Sequence, residues 1–388
     1  MWPGAPTVLL VGLILAQSTQ TQDCRQAPPG TPEPQPPPSA GTPPAADVFT
    51  TQDGARIRVD VVATNLEVPW SMAFAPDGRL FVTERPGRVR ILDLAATTSQ
   101  LALTLEDTFT QGEAGALGLA LDPDFGASRL VYVFYTARSG GSVVNRLVRY
   151  REVGGRLAER VVLLDDVPAS TIHDGGRIRF GPDGLLYVST GDASSQQLSQ
   201  NLGSLAGKIL RLNRDGTSAR GNPFGSPVYT YGHRNPQGFD WHPATRQLWA
   251  SEHGPTGNDE INLIRQGANY GWPSIQGAAA TAGMETPVAF FDPAIAPSGA
   301  SFYRGRVVPQ FENNLFVATL RGEHLLRLRL DAAGARIVAQ ERLMDQRYGR
   351  IRDVVMGPDG LLYFCTNNRD GRGIPETADD QIARLAPG

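Results

Sequence analysis

Beyond residue 49 the chain alternates apolar and polar positions with a period of two, in short runs broken by turn residues. One phrase keeps returning: an apolar run, a Pro-Asp-Gly turn, then a second apolar run. MAFAPDGRLFVTE surrounds Pro76, IRFGPDGLLYVSTG surrounds Pro182 and VVMGPDGLLYFCT surrounds Pro358. Looser copies surround Pro123 (LGLALDPDFGASRLVYVFY), Pro243 (FDWHPATRQLWASE) and Pro309 (VVPQFENNLFVATL). Successive turn prolines are 47, 59, 61, 66 and 49 residues apart. Alternation marks strands, and Pro with Asp-Gly supplies turn chemistry, so each copy predicts a β-hairpin. No long stretch carries the 3.6-residue period of an amphipathic helix. Six such units, each with room for four strands, predict an all-β six-bladed β-propeller with four-stranded antiparallel blades. A two-sheet sandwich leaves six evenly spaced hairpins unexplained.

The N-terminal part reads differently. Val8 to Ala16 is an apolar run of nine, too short to span a bilayer and suited to a secretory signal. Residues 1–18 are read as a signal peptide, 19–48 as a Pro-rich linker and 49–388 as the propeller. Export, to a periplasm or beyond, follows. Thr21-Gln22-Asp23 before Cys24 is not the small, apolar context of a lipid anchor.

Composition removes other classes. Thirty-six basic against 39 acidic residues leave a net charge of −3, no footprint for nucleic acid. Two cysteines exclude a disulfide scaffold, and Cys365, within LLYFC, reads as a buried apolar residue. Lys208 is the single lysine, so cationic chemistry falls to arginine.

Some polar residues share an offset before the turn proline. His173 lies nine residues before Pro182 and Arg234 nine before Pro243; Glu113 lies ten before Pro123 and Arg350 eight before Pro358. One phase of a propeller repeat lies at one end of equivalent strands, and the innermost strands line the axis. These four residues therefore predict one mouth of the channel, although loops are polar in any case. Positions 173 and 192 are symmetric about the Pro182-Asp183 turn, so antiparallel pairing brings Asp192 beside His173. A carboxylate there orients an imidazole as a general base; a purely structural hydrogen bond fits the same pattern.

Arg234 and Asn235 precede a proline and offer donors to an anionic or carbonyl-bearing ligand. His233 and His242 read as packing or turn residues. SEHGPTGNDEINLIRQGANYGWP, Ser251 to Pro273, can offer hard oxygens to calcium but lacks EF-hand spacing, and His253 has no partner at zinc spacing. Arg350 and Arg352 share one face of a strand, with Arg321 a third candidate. Either an anion sits among them or the strand is a solvated edge.

At these residues the sequence resembles the soluble PQQ-dependent sugar dehydrogenases of the glucose/sorbosone dehydrogenase family, in particular the aldose sugar dehydrogenase branch. The resemblance runs from about Val68 to Leu362 and rests on VPWSMAFAPDGRLFVTERPGRV, GEAGALGLALDPDF, HDGGRIRFGPDGLLYVSTGD, AGKILRLNRDG, YGHRNPQGF, SEHGPTGNDEINLI, GANYGWP and RIRDVVMGPDG. It implies oxidation of aldose sugars at C1 to the lactone, with His173 as general base, Asp192 orienting it and Arg234 polarising the quinone carbonyl beside Asn235. It further implies that Gly254 and Pro255 give carbonyls to a quinone-bound Ca2+, and that Glu113, Arg321, Arg350 and Arg352 surround the PQQ cofactor. Glu260 and the Tyr270 carbonyl match a second, structural calcium site, and Trp70 lines or supports the substrate cavity.

Well-studied glucose dehydrogenases of this type carry Gln at the Glu113 position and Lys at the Arg321 position. Glu113 beside an anionic cofactor must then be protonated, turned to a cation or displaced. Long insertions of those enzymes are short or absent here, implying an open pocket, loose aldose specificity and a monomer. Electrons would leave to an external acceptor, since no C-x-x-C-H haem motif exists. Two rivals share the fold, a Ca2+-dependent lactonase and a non-catalytic carbohydrate- or protein-binding propeller. The first has no use for convergent arginines, the second none for His173, Asp192 and Arg234 together.

Overall fold

Six antiparallel sheets follow one another around a central axis. The computed structural model describes Met1 and residues 47–388; the expected signal peptide and most of the Pro-rich linker lie outside the described residues. Blade 1 spans residues 69–104, blade 2 116–168, blade 3 178–231, blade 4 236–291 and blade 5 297–343, each with four strands. The sixth sheet has five. Ile351–Met356, Leu362–Thr366 and Ile382–Pro387 come from the end of the chain, and Arg56–Ala63 and Asp47–Thr50 from its beginning. Val59 opposite Leu385 and Ile57 opposite Pro387 belong to the register that joins the two. Helix is confined to Phe125–Ser128 and two 3-10 turns among the described residues. None of it is long and apolar enough to cross a membrane.

All six turn prolines fall between the innermost strand of a blade and the next strand outward. The innermost strands are Pro69–Phe74, Ala116–Leu121, Ile178–Phe180, Pro236–Trp241, Pro297–Phe302 and Ile351–Met356. Outer strands alternate more openly, as in Ile337–Leu343, where exposed and half-buried positions interchange. This gradient is why the inner hairpin carries the recognisable repeat: both faces of its strands are covered.

The core is six clusters rather than one. Phe81 and Val89 of blade 1 pack with Val131 and Tyr135 of blade 2. Phe134 and Leu147 meet Val188 and Leu210 of blade 3, and Ile209 meets Phe239 and Ala250 of blade 4. Trp249 packs against Phe302 and Val317 of blade 5, and Phe316 against Ile351 and Phe364 of blade 6. Val82 meets Cys365 and Ile382, which closes the circle and gives Cys365 the buried apolar place expected of it. Residues 47–388 thus belong to one compact unit.

Ile57, fully buried at the seam, tests the closure. Ile57→Ala should cost about 2–5 kcal/mol in urea unfolding. A loss below about 0.5 kcal/mol, the range of neutral surface changes, would mean that the N-terminal strand does not carry the ring.

Candidate active site at the channel mouth

The segments that lead into the innermost strands carry the polar residues, and the ring brings them to one end of the axis. His173 Nδ1 lies 2.9 Å from Asp192 Oδ1. The ladder of this hairpin pairs Ile178 with Val188 and stops there, and the backbone N–H of Ala193 donates to the His173 carbonyl. Strict symmetry about the turn is therefore off by one residue in the backbone, yet the Asp192 side chain still reaches the ring. His173 has φ +64°, a left-handed conformation that costs roughly 1–3 kcal/mol in a non-glycine residue. Gly191 allows the crossing that imposes it: a Cβ there would sit 1.9 Å from the His173 carbonyl oxygen.

Asp192 is fully buried. Its Oδ1 also accepts from the Ser194 N–H at 2.8 Å, and its Oδ2 accepts from the Trp272 indole at 2.9 Å. On the other side of the imidazole, Arg234 NH2 lies 2.9 Å from His173 Nε2. A guanidinium can only donate, so Nε2 is the acceptor and the ring proton sits on Nδ1, facing Asp192. Two neighbours thus fix one tautomer.

Arg234 is itself held. Its NH1 donates to the carbonyls of His253 and Gly254 at 3.0 and 2.6 Å, and its guanidinium lies 5.3 Å from the Trp272 ring. Glu252 accepts from the Arg234 backbone N–H and, at 2.8 Å, lies against His233 Nδ1. His233 stacks on the Tyr270 ring, and His242 Nδ1 caps its own turn, the structural places expected of both histidines. Asp259 pins the loop after His253 by accepting from the N–H groups of Gly254, Ile295 and Ala296.

Glu113 lies against the backbone N–H of His173 at 3.5 Å and pairs with Arg372 at 2.7 Å. Burial opposes its charge, but His253, Arg372 and Arg352 outweigh that and hold the carboxyl down at about 2. Of the three fates open to Glu113, this structure has it turned to a cation. Arg350 makes a two-armed contact with Asp370 at 3.0 and 2.7 Å. Arg352 is buried, bonded to Gln237, Ser298 and Asn367, and burial pushes it down to about 9. Arg352 lies in the innermost strand and Arg350 one residue before it, both buried, so this is no solvated edge.

Two expected members stand apart. Arg321 is exposed and lines a neighbouring groove with His324 and Asp345, because its loop turns outward after Leu320 has given its carbonyl to Arg350. Trp70 is 1% exposed, with Arg177 4.5 Å and Arg352 5.7 Å from its ring. It supports the mouth from within and offers a ligand no surface. Trp272, Arg372, Asp370, Glu252 and Arg85 went unassigned in the sequence reading. Trp272 and Arg85 stand inside the quoted phrases GANYGWP and TERPGRV, but Asp370 and Arg372 lie in a loop with no repeat signal.

The donor set suits an anionic, carbonyl-bearing ligand. Arg234 Nε, Asn235 Nδ2 and His253 Nε2 are buried without a protein partner, and Arg85, Arg350 and Arg352 add charge around them. For a cation the residues offer oxygen. The Gly254 carbonyl already faces a guanidinium, and Pro255 lies in the same small cavity. Burial and the neighbouring Glu252 push the Glu260 carboxyl up to about 7, and Glu260 lines that cavity with Tyr270. Such a carboxyl suits a divalent ion. Among the described residues no three His, Cys, Asp or Glu side chains converge as a metal cluster, so carbonyl oxygens would carry most of the coordination.

A closed ring of six blades with an oriented histidine among axial arginines defines a propeller with a polar catalytic-type mouth. Residues 66–375 match the family described as Glucose / Sorbosone dehydrogenase, and the chain belongs to that sugar-dehydrogenase family. It is 32% identical to the aldose sugar dehydrogenase YliI of Escherichia coli, over 82% of this chain and 92% of that one. It is 27% identical to the quinoprotein glucose dehydrogenase B of Acinetobacter calcoaceticus, over 79% of this chain and 84% of the relative. The PQQ-bound aldose sugar dehydrogenase of Streptomyces coelicolor shares its fold with a TM-score of 0.78 and 38% identity, over 86% of this chain and 98% of that one.

The Glu113–Arg372 pair makes a pH test. Its carboxyl is depressed in the folded state, so its contribution is complete above the ordinary carboxylate value near 4.5 and is lost as pH falls towards about 2. A double-mutant cycle of Glu113→Gln and Arg372→Gln should give roughly 0.5–1 kcal/mol of coupling at pH 7, since Arg372 is half exposed. Wild type should also lose stability relative to Glu113→Gln as pH falls from 5 to 3, and an advantage that does not shrink over that range would refute the depressed carboxyl.

Proposed function

We propose that the protein oxidises aldose sugars at C1 to the lactone, with PQQ and Ca2+ held at this mouth and electrons passed to an external acceptor. The observation that carries the reading is the state of His173: Nδ1–H turned to Asp192, Nε2 left as an acceptor at the mouth. A base for a sugar hydroxyl needs a free imidazole lone pair with the other nitrogen anchored. Arg234 now answers that lone pair, and a substrate hydroxyl would take its place while Asp192 stabilises the proton gained. Asp192 and Trp272 hold the ring orientation throughout.

The bound quinone would supply the hydride acceptor, with calcium as a Lewis acid upon it. Arg350, Arg352 and Asn235 would hold its carboxylates and ring edge, with Arg85 adding positive charge. Arg234 would stabilise negative charge developing on a carbonyl, a role suited to a guanidinium that is already desolvated and fixed. Gly254 and Pro255 would give carbonyls to the calcium ion, with Glu260 and the Tyr270 carbonyl at a second, structural ion. Glu113 is neutralised in advance by Arg372, so a carboxylate at that position need not repel an anionic ligand. Arg321 is exposed in a neighbouring groove, and its role stays with the resemblance. A broad aldose range and a monomer belong to the same reading through the resemblance, and export through the N-terminal sequence.

Purified protein titrated with PQQ and Ca2+, then given glucose and an artificial dye, should reduce the dye only when both additions are present. Tight binding without reduction would keep the site and change the substrate; no binding would leave a non-catalytic propeller. His173→Ala should lower sugar oxidation by about 10²–10⁴-fold with the cofactor's absorbance titration unchanged. A wild-type rate in that variant would remove His173 as the base. Arg350→Gln should weaken cofactor binding in the same titration, and unchanged affinity would turn Arg350 into a partner of Asp370 alone.

A further inference from the structure

The channel has a second mouth. The site described so far gathers at the end where the chain enters the innermost strands, whereas the far ends of those strands and their turns line a cavity of about 580 Å3. A six-residue strand rises roughly 20 Å, so the two lie at opposite ends of the axis. Between them stands a layer of bonded side chains. Arg177 Nε donates to the Gln237 carbonyl at 2.9 Å and NH1 pairs with Asp353 at 3.0 Å, while Arg352 NH1 donates to Gln237 Oε1 at 2.7 Å. Trp70 lies against both guanidiniums.

Four arginines line the second cavity, Arg177, Arg179, Arg246 and Arg304, against one carboxylate, Asp240. That carboxylate is already answered. Arg304 grips both its oxygens at 2.7 Å and Arg179 adds a contact at 3.1 Å. Burial would raise Asp240, yet Arg304 and Arg179 hold it below its ordinary value, so it stays charged and paired. Burial and nearby Arg304 push the His242 imidazole down, so it adds no charge at neutral pH. With Arg304 matched to Asp240 and Arg177 to Asp353, the charges of Arg179 and the exposed Arg246 remain over.

A second observation concerns a residue of the same lining. Arg177 is fully buried, and its NH2 has no hydrogen-bond partner in the protein. A charged donor buried without a partner is costly unless an acceptor reaches it. The walls supply the rest: Phe74, Phe180 and Trp241 line the cavity. Its volume lies in the range of sites for small molecules.

We propose that this second mouth binds a small organic anion, a carboxylate or phosphate carrying an aromatic or aliphatic body. Arg179 and Arg246 hold the anionic group, Arg177 faces it from the floor, and the aromatic walls receive the body. The site is independent of the chemistry proposed at the other mouth.

Calorimetric titration of the full-length protein with phenyl phosphate and with benzoate tests this. Saturable binding of one or both is expected, tighter than that of methyl phosphate, which lacks the apolar body; the tighter arm distinguishes phosphate from carboxylate. Arg246→Glu should weaken it about tenfold or more, the equivalent of 1.4 kcal/mol, and that exposed position should leave the melting temperature unchanged. Arg304→Lys keeps the charge beside Asp240 and should preserve binding, whereas Arg350→Gln, at the opposite mouth, should not alter it. No saturable binding of either probe overturns the proposal. So does binding abolished by Arg350→Gln and untouched by Arg246→Glu, which would put the anion at the first mouth.

Discussion

A blade of this protein has two apolar faces, and only another blade can cover each of them. That single requirement governs the rest. The six clusters between neighbouring blades leave no blade able to bury its surface alone. The circle must therefore close, and it closes by pairing Arg56–Ala63 with Ile382–Pro387. Once closed, it fixes the innermost strands around one axis and forces every residue at a given phase of the repeat towards the same end. The candidate site is a consequence of that geometry, not of any one loop.

What gathers at that end is positive charge that the protein has arranged to tolerate. Asp370 takes Arg350, Glu113 takes Arg372, and carbonyls take Arg234. Each pairing lowers the cost of burying a guanidinium while leaving some donors unanswered for a ligand. The same logic orders His173, whose tautomer is set by a carboxylate on one nitrogen and a cation on the other. Strain in its backbone persists because Gly191 and the Ala193 N–H hold the crossing from the opposite strand.

The two ends of the axis differ in a way that follows from strand direction. One end collects the segments that enter the inner strands, rich in Gly, Asn and charged residues. The other collects the tight turns, where Pro-Asp-Gly leaves little room for elaboration and the side chains are the last residues of the strands themselves. Arg179 and Arg304 sit in or just beyond such strands, and a bonded layer around Trp70 separates them from the first mouth.

The sequence by itself determined the blade count, the position of every inner hairpin and the meeting of His173 with Asp192, because a period of two and a Pro-Asp-Gly turn are local signals. It also placed Glu113, Arg234 and Arg350 together, since their offset from the turn proline is a property of the repeat. Only the tertiary structure decided their partners. Asp370 and Arg372 lie in a loop outside the repeat, so nothing local announced that they would neutralise Arg350 and Glu113. Trp70 stands inside a phrase shared with the family and Arg321 was expected beside it at the mouth, yet one is walled in by two guanidiniums and the other turned to solvent. The make-up of the closing sheet was equally hidden, because its strand Arg56–Ala63 pairs residue 57 with residue 387, joining the two ends of the domain, and leaves no trace in either segment alone. Contacts between blades, and between the ends of the chain, depend on which surfaces the closed ring brings together, and local pattern carries no record of them.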